Sequence, residues 1–284
     1  MSTQPDSLDA PCPVGPGEVL SQRYALELLI GEGSFGWVFS ALELTHAARR
    51  VALKVLRPSA SLAKDSSRRL EERELALLLR VQHHQTTPHV VRVLEATVQR
   101  HGPLSYLVLE FIDGPSLREV LDRGAVLGVE PIRRLGAGLA EGLAAIHAAG
   151  GVHRDLKPTN IRLRGGEAPV IVDFGTALTL WEPSELTAPG QRAPLTPRYA
   201  SPEQLAGHPG TPASDVYAWG VILQELLSRL PPASTPGERA ALSLLREWVR
   251  ASLDHAPERR PSARELLQAL SAPVAPRERA LGRR

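Results

Sequence analysis

The sequence predicts a mixed α+β protein in which strand patterns and helical patterns occupy different parts of the chain. Short apolar runs of the kind found in strands dominate from Tyr24 to Phe111, interrupted by one helical pattern at 66–81. Helical spacing of apolar residues dominates afterwards, most clearly from Pro131 to Ala149. A chain of 284 residues can bury a large core, organised as one domain or as two lobes.

Composition and charge argue against several classes of protein. Hydrophobic residues make up 43% and charged residues 23%, which is typical of a soluble globular protein. The net charge of +2 predicts no nucleic-acid partner. No apolar run approaches the roughly 18 residues of a membrane helix, so we expect no membrane span. With no signal peptide and a single Cys12, the chain is expected to be cytoplasmic.

The two ends of the chain are predicted to lie outside the folded part. Residues 1–20 are rich in Pro, Gly, Ser and Asp and predict a disordered leader. Order is expected to begin near Tyr24, where apolar residues alternate as they do in a strand. Residues 273–284 form a basic, Pro-containing segment that predicts a mobile tail.

A glycine-rich segment follows the first predicted strand, with Gly31, Gly33 and Gly36 at a spacing that lets the backbone turn tightly and approach a phosphate. The same spacing occurs in dinucleotide-binding proteins, where it opens a helix. Here Trp37 to Ala41 predict a second strand, which makes the segment a hairpin. A plain tight hairpin without a ligand is the alternative.

One lysine interrupts the apolar strand predicted at Val51–Leu56. Lys54 lies either at an exposed edge or in a cleft, where its ammonium could neutralise phosphate charge. A buried ammonium needs a partner, because an unpaired buried charge is costly. Among the glutamates of the 66–81 helix we choose Glu74, which lies beside the apolar stripe; the alternative is a solvated surface charge.

Local patterns predict the remaining elements in order. Ser116 is placed to cap a short helix, and two glycines after Ala149 end the long one. The predicted strands are Val90–Val98, Tyr106–Phe111, Ile161–Arg164 and Val170–Val172, and the predicted helices are Ser116–Arg123, Pro131–Ala149, Asp215–Leu230 and Ser262–Leu270.

Acidic and amide side chains are concentrated in His153–Asn160 and again in Asp173-Phe174-Gly175. Asp155, Asn160 and Asp173 offer the hard oxygen ligands that Mg²⁺ prefers. One carboxylate can stay free to accept a proton from a hydroxyl. A lone Asp is often only a cap or turn residue, but the two motifs in this order favour a catalytic site.

Together these motifs resemble the catalytic loop and metal-binding motif of protein kinases, and the chain resembles a bacterial, eukaryotic-like Ser/Thr protein kinase over about residues 24–272. The resemblance implies a bilobal fold. An antiparallel sheet with one helix would form a small lobe at about 24–109, followed by a hinge at 110–114 and a mainly helical large lobe at about 115–272. It implies ATP and Mg²⁺ as cofactors, with Mn²⁺ possible, and proteins with Ser or Thr acceptors as partners.

The resemblance also implies which residues surround ATP. Ala52 is small enough for adenine to lie against it, and the backbone of Glu110 and Ile112 would pair with adenine. Arg162 stands where relatives usually carry an apolar side chain, and its aliphatic stem can serve if the guanidinium reaches outward. The implied nucleotide-binding residues are Ile30, Gly31, Glu32, Gly33, Ser34, Phe35, Gly36, Val38, Ala52, Lys54, Glu74, Leu109, Glu110, Ile112 and Arg162.

In the implied mechanism, Asp155 orients the acceptor hydroxyl and takes its proton, and Lys157 steadies the transferring phosphoryl group. Asn160 and Asp173 hold Mg²⁺. The Thr196 hydroxyl would bond both Asp155 and Lys157. The lysine favours Ser and Thr over Tyr as acceptors.

Further residues have implied structural or regulatory roles. Glu203 would be buried against Arg260, and Asp215 would cap the backbone of the catalytic loop. Phosphate on Thr187, or second on Ser184, would pair with Arg154 and order the segment at 176–200; constitutive activity is the alternative. The implied set is His153, Arg154, Phe174, Glu203, Asp215, Arg260 and Thr187.

Two other functions compete with that of a Ser/Thr protein kinase that phosphorylates itself and signals. A pseudokinase scaffold would usually have lost Lys54, Asp155 or Asp173, and all three are present. A small-molecule phosphotransferase of related fold would not be expected to carry the segment Thr196–Glu203.

Overall fold

An antiparallel sheet forms the first part of the protein and helices form most of the second. The computed structural model describes residues 12–33, 36–45, 48–56, 75–83, 87–97, 104–174, 178–179 (backbone only) and 196–272. The predicted α+β class and the bilobal arrangement, a sheet lobe followed by a helical lobe, are confirmed.

Six strands build the sheet, in the spatial order β1-β2-β3-β4-β6-β5, and each neighbouring pair is antiparallel. The glycine-rich segment is the tip of the β2–β3 hairpin, where Gly33 pairs with Gly36. The strands are β1 (Val19–Leu20), β2 (Tyr24–Gly33), β3 (Gly36–Glu43), β4 (Arg49–Leu56), β5 (Val93–Thr97) and β6 (Tyr106–Glu110).

One strand was not predicted, and another begins later than predicted. Residues 1–20 were expected to form a disordered leader, yet Val19 and Leu20 pair with β2. The strand predicted from Val90 begins at Val93, because Val90 forms a parallel bridge with Ile171 of the helical part instead.

The helices are α1 (described at 75–83), α2 (Leu117–Asp122), α3 (Val129–Ala148), α4 (Pro202–Leu205), α5 (Pro212–Leu227), α6 (Pro236–Ser252) and α7 (Ala263–Ser271). The first part of the helix predicted at 66–81 lies outside the described residues. Ser116 caps α2 with a reciprocal bond to Glu119, as predicted. No helix within these described ranges is long and apolar enough to cross a membrane.

Helix α3 is the centre of the large lobe, and closely packed glycines bring its neighbours near. A Cβ on Gly136 would lie 2.8 Å from the Leu223 side chain of α5, and one on Gly142 would lie 2.9 Å from the carbonyl oxygen of His89. Trp219 of α5 donates a 2.9 Å hydrogen bond to the Gly136 carbonyl. The resulting core unites α3, α5, α6 and α7.

Four short strands follow α3 and flank the motif residues. β7 (Gly151–Val152) pairs with β10 (Leu178–Thr179), and β8 (Ile161–Arg164) forms a hairpin with β9 (Ala168–Ile171). The segment that leads into β5 runs alongside β9, since Val91 N–H donates to the Ile171 carbonyl at 2.9 Å. This ladder attaches the sheet to the helical part beside the motif residues.

The connection between the two parts requires a glycine. Gly114 has φ +145°, and a Cβ there would lie 1.8 Å from the carbonyl oxygen of Leu163. No L side chain fits that backbone conformation or that space.

We therefore expect Gly114→Ala to lower the free energy of unfolding by about 3 kcal/mol or more, from backbone strain plus steric overlap. Gly124 is a matched control, because its φ is +70° and nothing lies within 4 Å of the position that a Cβ would take. Gly124→Ala should lower the free energy of unfolding only through backbone strain, by about 1–2 kcal/mol. Urea denaturation followed by circular dichroism measures both, and equal losses would contradict the packing argument.

Candidate active site

The backbone of the catalytic loop, residues 153–157, is anchored by hydrogen bonds to one buried carboxylate. Asp215, at the start of α5, accepts hydrogen bonds from His153 N–H at 2.9 Å and Arg154 N–H at 2.8 Å. His147 of α3 contacts the same carboxylate at 2.8 Å. Arg154 has φ +72°, a strained conformation for a non-glycine residue that these bonds stabilise.

Asp155, Lys157 and Thr196 form one hydrogen-bonded group. Lys157 Nζ donates to Asp155 Oδ2 at 2.5 Å and to Thr196 Oγ1 at 3.0 Å. The Thr196 hydroxyl donates to Asp155 Oδ1 at 3.1 Å. The group joins the catalytic loop to a segment 41 residues further along the chain.

Asn160 ends the one-turn 3-10 helix Pro158–Asn160. Its Nδ2 donates to the Asp155 carbonyl at 2.9 Å, which fixes the amide and turns Oδ1 the other way. Asp173 follows β9, and its side chain is 47% exposed. An oriented amide oxygen and an accessible carboxylate are ligands that suit Mg²⁺.

Lys54 connects the sheet to this site. It lies on the interior strand β4 with its side chain 6% exposed, and its Nζ is 3.1 Å from Asp173 Oδ1. This pairing, which spans 119 residues, was not predicted from the sequence. The partner that was predicted, Glu74, lies outside the described residues.

Several predicted nucleotide-binding residues lie on strands β2, β3, β4 and β6. Gly36 has φ +145°, and a Cβ there would lie 2.0 Å from the Val55 carbonyl oxygen, so β3 and β4 approach closely only with glycine. Ile112 is buried, and Glu32 accepts a 3.0 Å hydrogen bond from Trp37 Nε1. The positions Ile30, Gly31, Gly33 and Val38 lie on the β2–β3 hairpin, and Ala52 and Leu109 lie opposite each other on β4 and β6.

Some predicted residues lie differently or cannot be placed. Arg162 donates from Nη2 to the Gly114 carbonyl, so its guanidinium is tied to the connection between the two parts and does not reach outward. The Glu110 carboxylate pairs with Arg164 at 3.1 Å. Ser34, Phe35, Ser184 and Thr187 lie outside the described residues.

Two buried rings pack behind the site. The rings of His153 and Phe174 have centroids 5.2 Å apart, and both residues are buried. Burial lowers the pKa of the His153 imidazole, which favours the neutral ring. This contact ties the catalytic loop to the residue that follows Asp173.

Arg154 contacts both α4 and the segment before α5. Its carbonyl accepts a 2.9 Å hydrogen bond from Gln204 Nε2, and a Cβ on Gly210 would lie 3.1 Å from its Cγ. Burial lowers the pKa of the Arg154 guanidinium. Within the part of the chain that the structure describes, its Nε and Nη1 are buried without a hydrogen-bond partner.

The structure brings Glu203 and Arg260 together in a two-pronged ion pair with both N···O distances at 2.8 Å. Ser214 Oγ donates to the same carboxylate at 2.7 Å. Burial raises the pKa of the Glu203 carboxyl, but the hydrogen bonds from Arg260 and Ser214 outweigh it and lower the pKa to about 2.

A second buried carboxylate, Glu225 of α5, was missed from the sequence. It accepts a 2.9 Å hydrogen bond from the Tyr199 hydroxyl and lies 3.0 Å from Arg198 Nη2. The signal was present, because this glutamate interrupts an apolar helical run that predicts burial.

We expect Glu203→Gln to lower the melting temperature at pH 7, with the difference from wild type narrowing as the pH falls. The folded state depresses this pKa, so the stabilisation is complete above the ordinary value of 4.5 and is lost towards about 2. Thermal melts from pH 7 to pH 2 measure the difference. Glu258→Gln, at an exposed position nearby, is the matched control. A constant difference across this range would contradict the assignment.

Comparison with known proteins identifies the family to which this chain belongs. The protein kinase domain family matches residues 24–279. The serine/threonine-protein kinase PkaA of Streptomyces coelicolor is 37% identical over 86% of this chain and 44% of its own length. PknA of Mycobacterium tuberculosis is 33% identical over 89% of this chain and 57% of its own length.

The probable serine/threonine-protein kinase PkwA of Thermomonospora curvata is 36% identical over 91% of this chain and 35% of its own length. This chain therefore spans about half or less of the curated relatives PkaA and PkwA, and somewhat more of PknA. The match covers the sheet, the catalytic loop and the helical part together. The chain belongs to the protein kinase domain family, and the resemblance to bacterial Ser/Thr protein kinases is confirmed.

Proposed function

We propose that this chain transfers the γ-phosphoryl group of ATP to Ser or Thr hydroxyls of proteins, its own included. One observation carries the proposal: Lys54, Asp173, Asn160 and the Asp155–Lys157–Thr196 group converge between the sheet and the helical part. Such chemistry depends on positioning and electrostatic stabilisation more than on covalent steps.

The residues fit a nucleotide with a divalent cation, Mg²⁺ or Mn²⁺. Asp173 and the Asn160 amide oxygen would hold the ion, and two protein ligands suffice when phosphate oxygens supply others. The bound ion would neutralise charge on the phosphates. Lys54 would place its ammonium on the phosphates beside Asp173, from which it is now 3.1 Å. The β2–β3 hairpin would cover them.

Asp155 is proposed to accept the proton of the attacking hydroxyl. Its carboxylate is oriented from two sides, by Lys157 and by the Thr196 hydroxyl. The Lys157 ammonium would also stabilise negative charge that develops on the transferring group. Because the reaction consumes ATP, we propose that it takes place in the cytoplasm. We also propose that the chain acts on protein substrates and has no nucleic-acid partner.

A functional test separates the two aspartates. Asp155→Asn should lower kcat by about 10²–10⁴-fold and leave the affinity for Mg·ATP nearly unchanged, because its role arises in the transition state. Asp173→Asn should weaken Mg·ATP binding by about tenfold or more, because a neutral amide replaces a lost carboxylate ligand poorly. Transfer of labelled phosphate to casein and titration with a fluorescent ATP analogue measure these effects.

Glu247→Gln, an exposed carboxylate on α6, is the control for the charge change. Equal loss of Mg·ATP binding in both aspartate variants would contradict the division of roles. Undiminished transfer in Asp155→Asn would contradict the proposed function, and transfer to small molecules but to no protein would favour the related small-molecule phosphotransferase.

We also propose that phosphorylation of Thr187, or second of Ser184, raises activity through Arg154. The support is the pair of buried guanidinium nitrogens of Arg154 that have no hydrogen-bond partner within the described ranges. Phosphate pairs strongly with Arg. Both acceptors lie outside the described residues, so the proposal concerns charge and not geometry.

Thr187→Ala should lower kcat/KM of the self-phosphorylated protein by about tenfold, as loss of an Arg–phosphate contact worth about 1.4 kcal/mol in the transition state would do. Mass spectrometry locates the phosphate, and Thr87→Ala is the control, because the Thr87 hydroxyl already donates a hydrogen bond to Glu141 of α3. Unmodified protein with unchanged kinetics would leave constitutive activity as the explanation.

A further inference from the structure

One carboxylate close to the proposed acceptor site is surrounded by arginines. Glu225 has a side chain only 7% exposed. The Tyr199 hydroxyl donates to it at 2.9 Å. Three guanidinium groups face it, at N···O distances of 3.0 Å for Arg198 and 3.6 Å for Arg118 and Arg229. We call this set the Glu225 cluster.

Two of the arginines are held by bonds to other residues besides Glu225. Arg229 Nη1 donates to the Leu121 carbonyl at 2.5 Å, which ties the end of α5 to α2. Arg118 Nη2 forms an i,i+4 ion pair with Asp122 at 2.5 Å. These bonds hold both guanidinium groups in place whether or not a ligand is near.

The third arginine is open to solvent and lies next to the catalytic group. Arg198 is 60% exposed and follows Thr196 by two residues. Tyr199 N–H donates to the Thr196 carbonyl at 3.0 Å, so Arg198 lies within a turn anchored on the threonine that bonds Asp155. Arg198 therefore offers an exposed guanidinium on the turn that carries the partner of Asp155, where we expect an acceptor chain to approach.

The charges of the cluster do not cancel. Three guanidinium groups face two carboxylates, Glu225 and Asp122, which leaves a net positive charge. Glu225 already has four donors around it and little exposed surface, so it has no capacity left for an incoming cation. A basic side chain would be repelled here, and an acidic side chain would be attracted to Arg198.

We propose that Arg198 selects acceptor segments with an acidic side chain close to the phosphorylated hydroxyl and disfavours segments with a basic one there. The inference rests on the proposed phosphotransferase function and specifies its substrate class. Removal of Arg198 is compatible with folding, because Arg118, Arg229 and Tyr199 still compensate the buried Glu225 charge.

The test uses a set of otherwise identical peptides with a single Thr acceptor, in which each flanking position in turn carries Glu, Ala or Arg. Transfer of labelled phosphate gives kcat and KM for wild type, Arg198→Ala and Arg239→Ala. The last variant removes the same charge from an exposed position on α6. Fluorescence anisotropy of labelled peptides on Asp155→Asn, with and without Arg198→Ala, measures the charge preference without turnover.

For wild type, we expect the best Glu peptide to exceed its Arg counterpart by about three- to tenfold in kcat/KM, mainly through KM, as for one partly exposed charge contact. Arg198→Ala should bring the ratio close to one in both kinetics and binding, whereas Arg239→Ala should keep it. Equal or better use of the Arg peptide by wild type, or an unchanged ratio in Arg198→Ala, overturns the inference. If no peptide is phosphorylated, the proposed function fails, and the anisotropy ratio alone decides whether Arg198 selects acidic chains.

Discussion

The bonds that Asp215 accepts are the constraint on which the active site depends. A buried carboxylate in contact with two backbone N–H groups and His147 fixes residues 153 and 154 relative to α3 and α5. It also stabilises the positive φ of Arg154, the residue that precedes Asp155. The carboxylate, amide and ammonium groups that follow owe their positions to this attachment. The site is therefore supported from the interior of the helical part and not from the loop itself.

The sheet contributes to the same site through two attachments. The Lys54–Asp173 pair joins β4 to the residues after β9. Beside it, the backbone ladder between residues 89–91 and Ile171 is formed by hydrogen bonds that do not depend on side chains. The Lys54–Asp173 pair can change when a charged ligand enters, whereas the backbone ladder can remain. This division allows the two parts to adjust around a nucleotide without separating.

Local patterns in the sequence predicted the β2–β3 hairpin, α2, α3 and α5, because turns, caps and apolar periodicity act over a few residues. Helix α6 was not predicted, although Thr235 and Glu238 form a capping box and its buried residues recur at helical spacing. The start of β5 could not be predicted, since a distant bridge to Ile171 decides it. The motifs located Asp155, Asn160 and Asp173, but the pairing of Lys54 with Asp173 and the arginines around Glu225 are non-local contacts that no spacing encodes.

The closely packed glycines of α3 have a consequence for the order of folding. Each glycine lowers intrinsic helix stability by about 1 kcal/mol relative to alanine. Gly136, Gly138 and Gly142 therefore weaken the isolated helix but allow close contact with α5 and the chain around His89. Such a helix is weak alone and gains its stability from docking, so α3 and its neighbours must form cooperatively. The catalytic loop follows α3 closely and is bonded to the start of α5, and it consequently acquires its shape only in a large lobe that is already assembled.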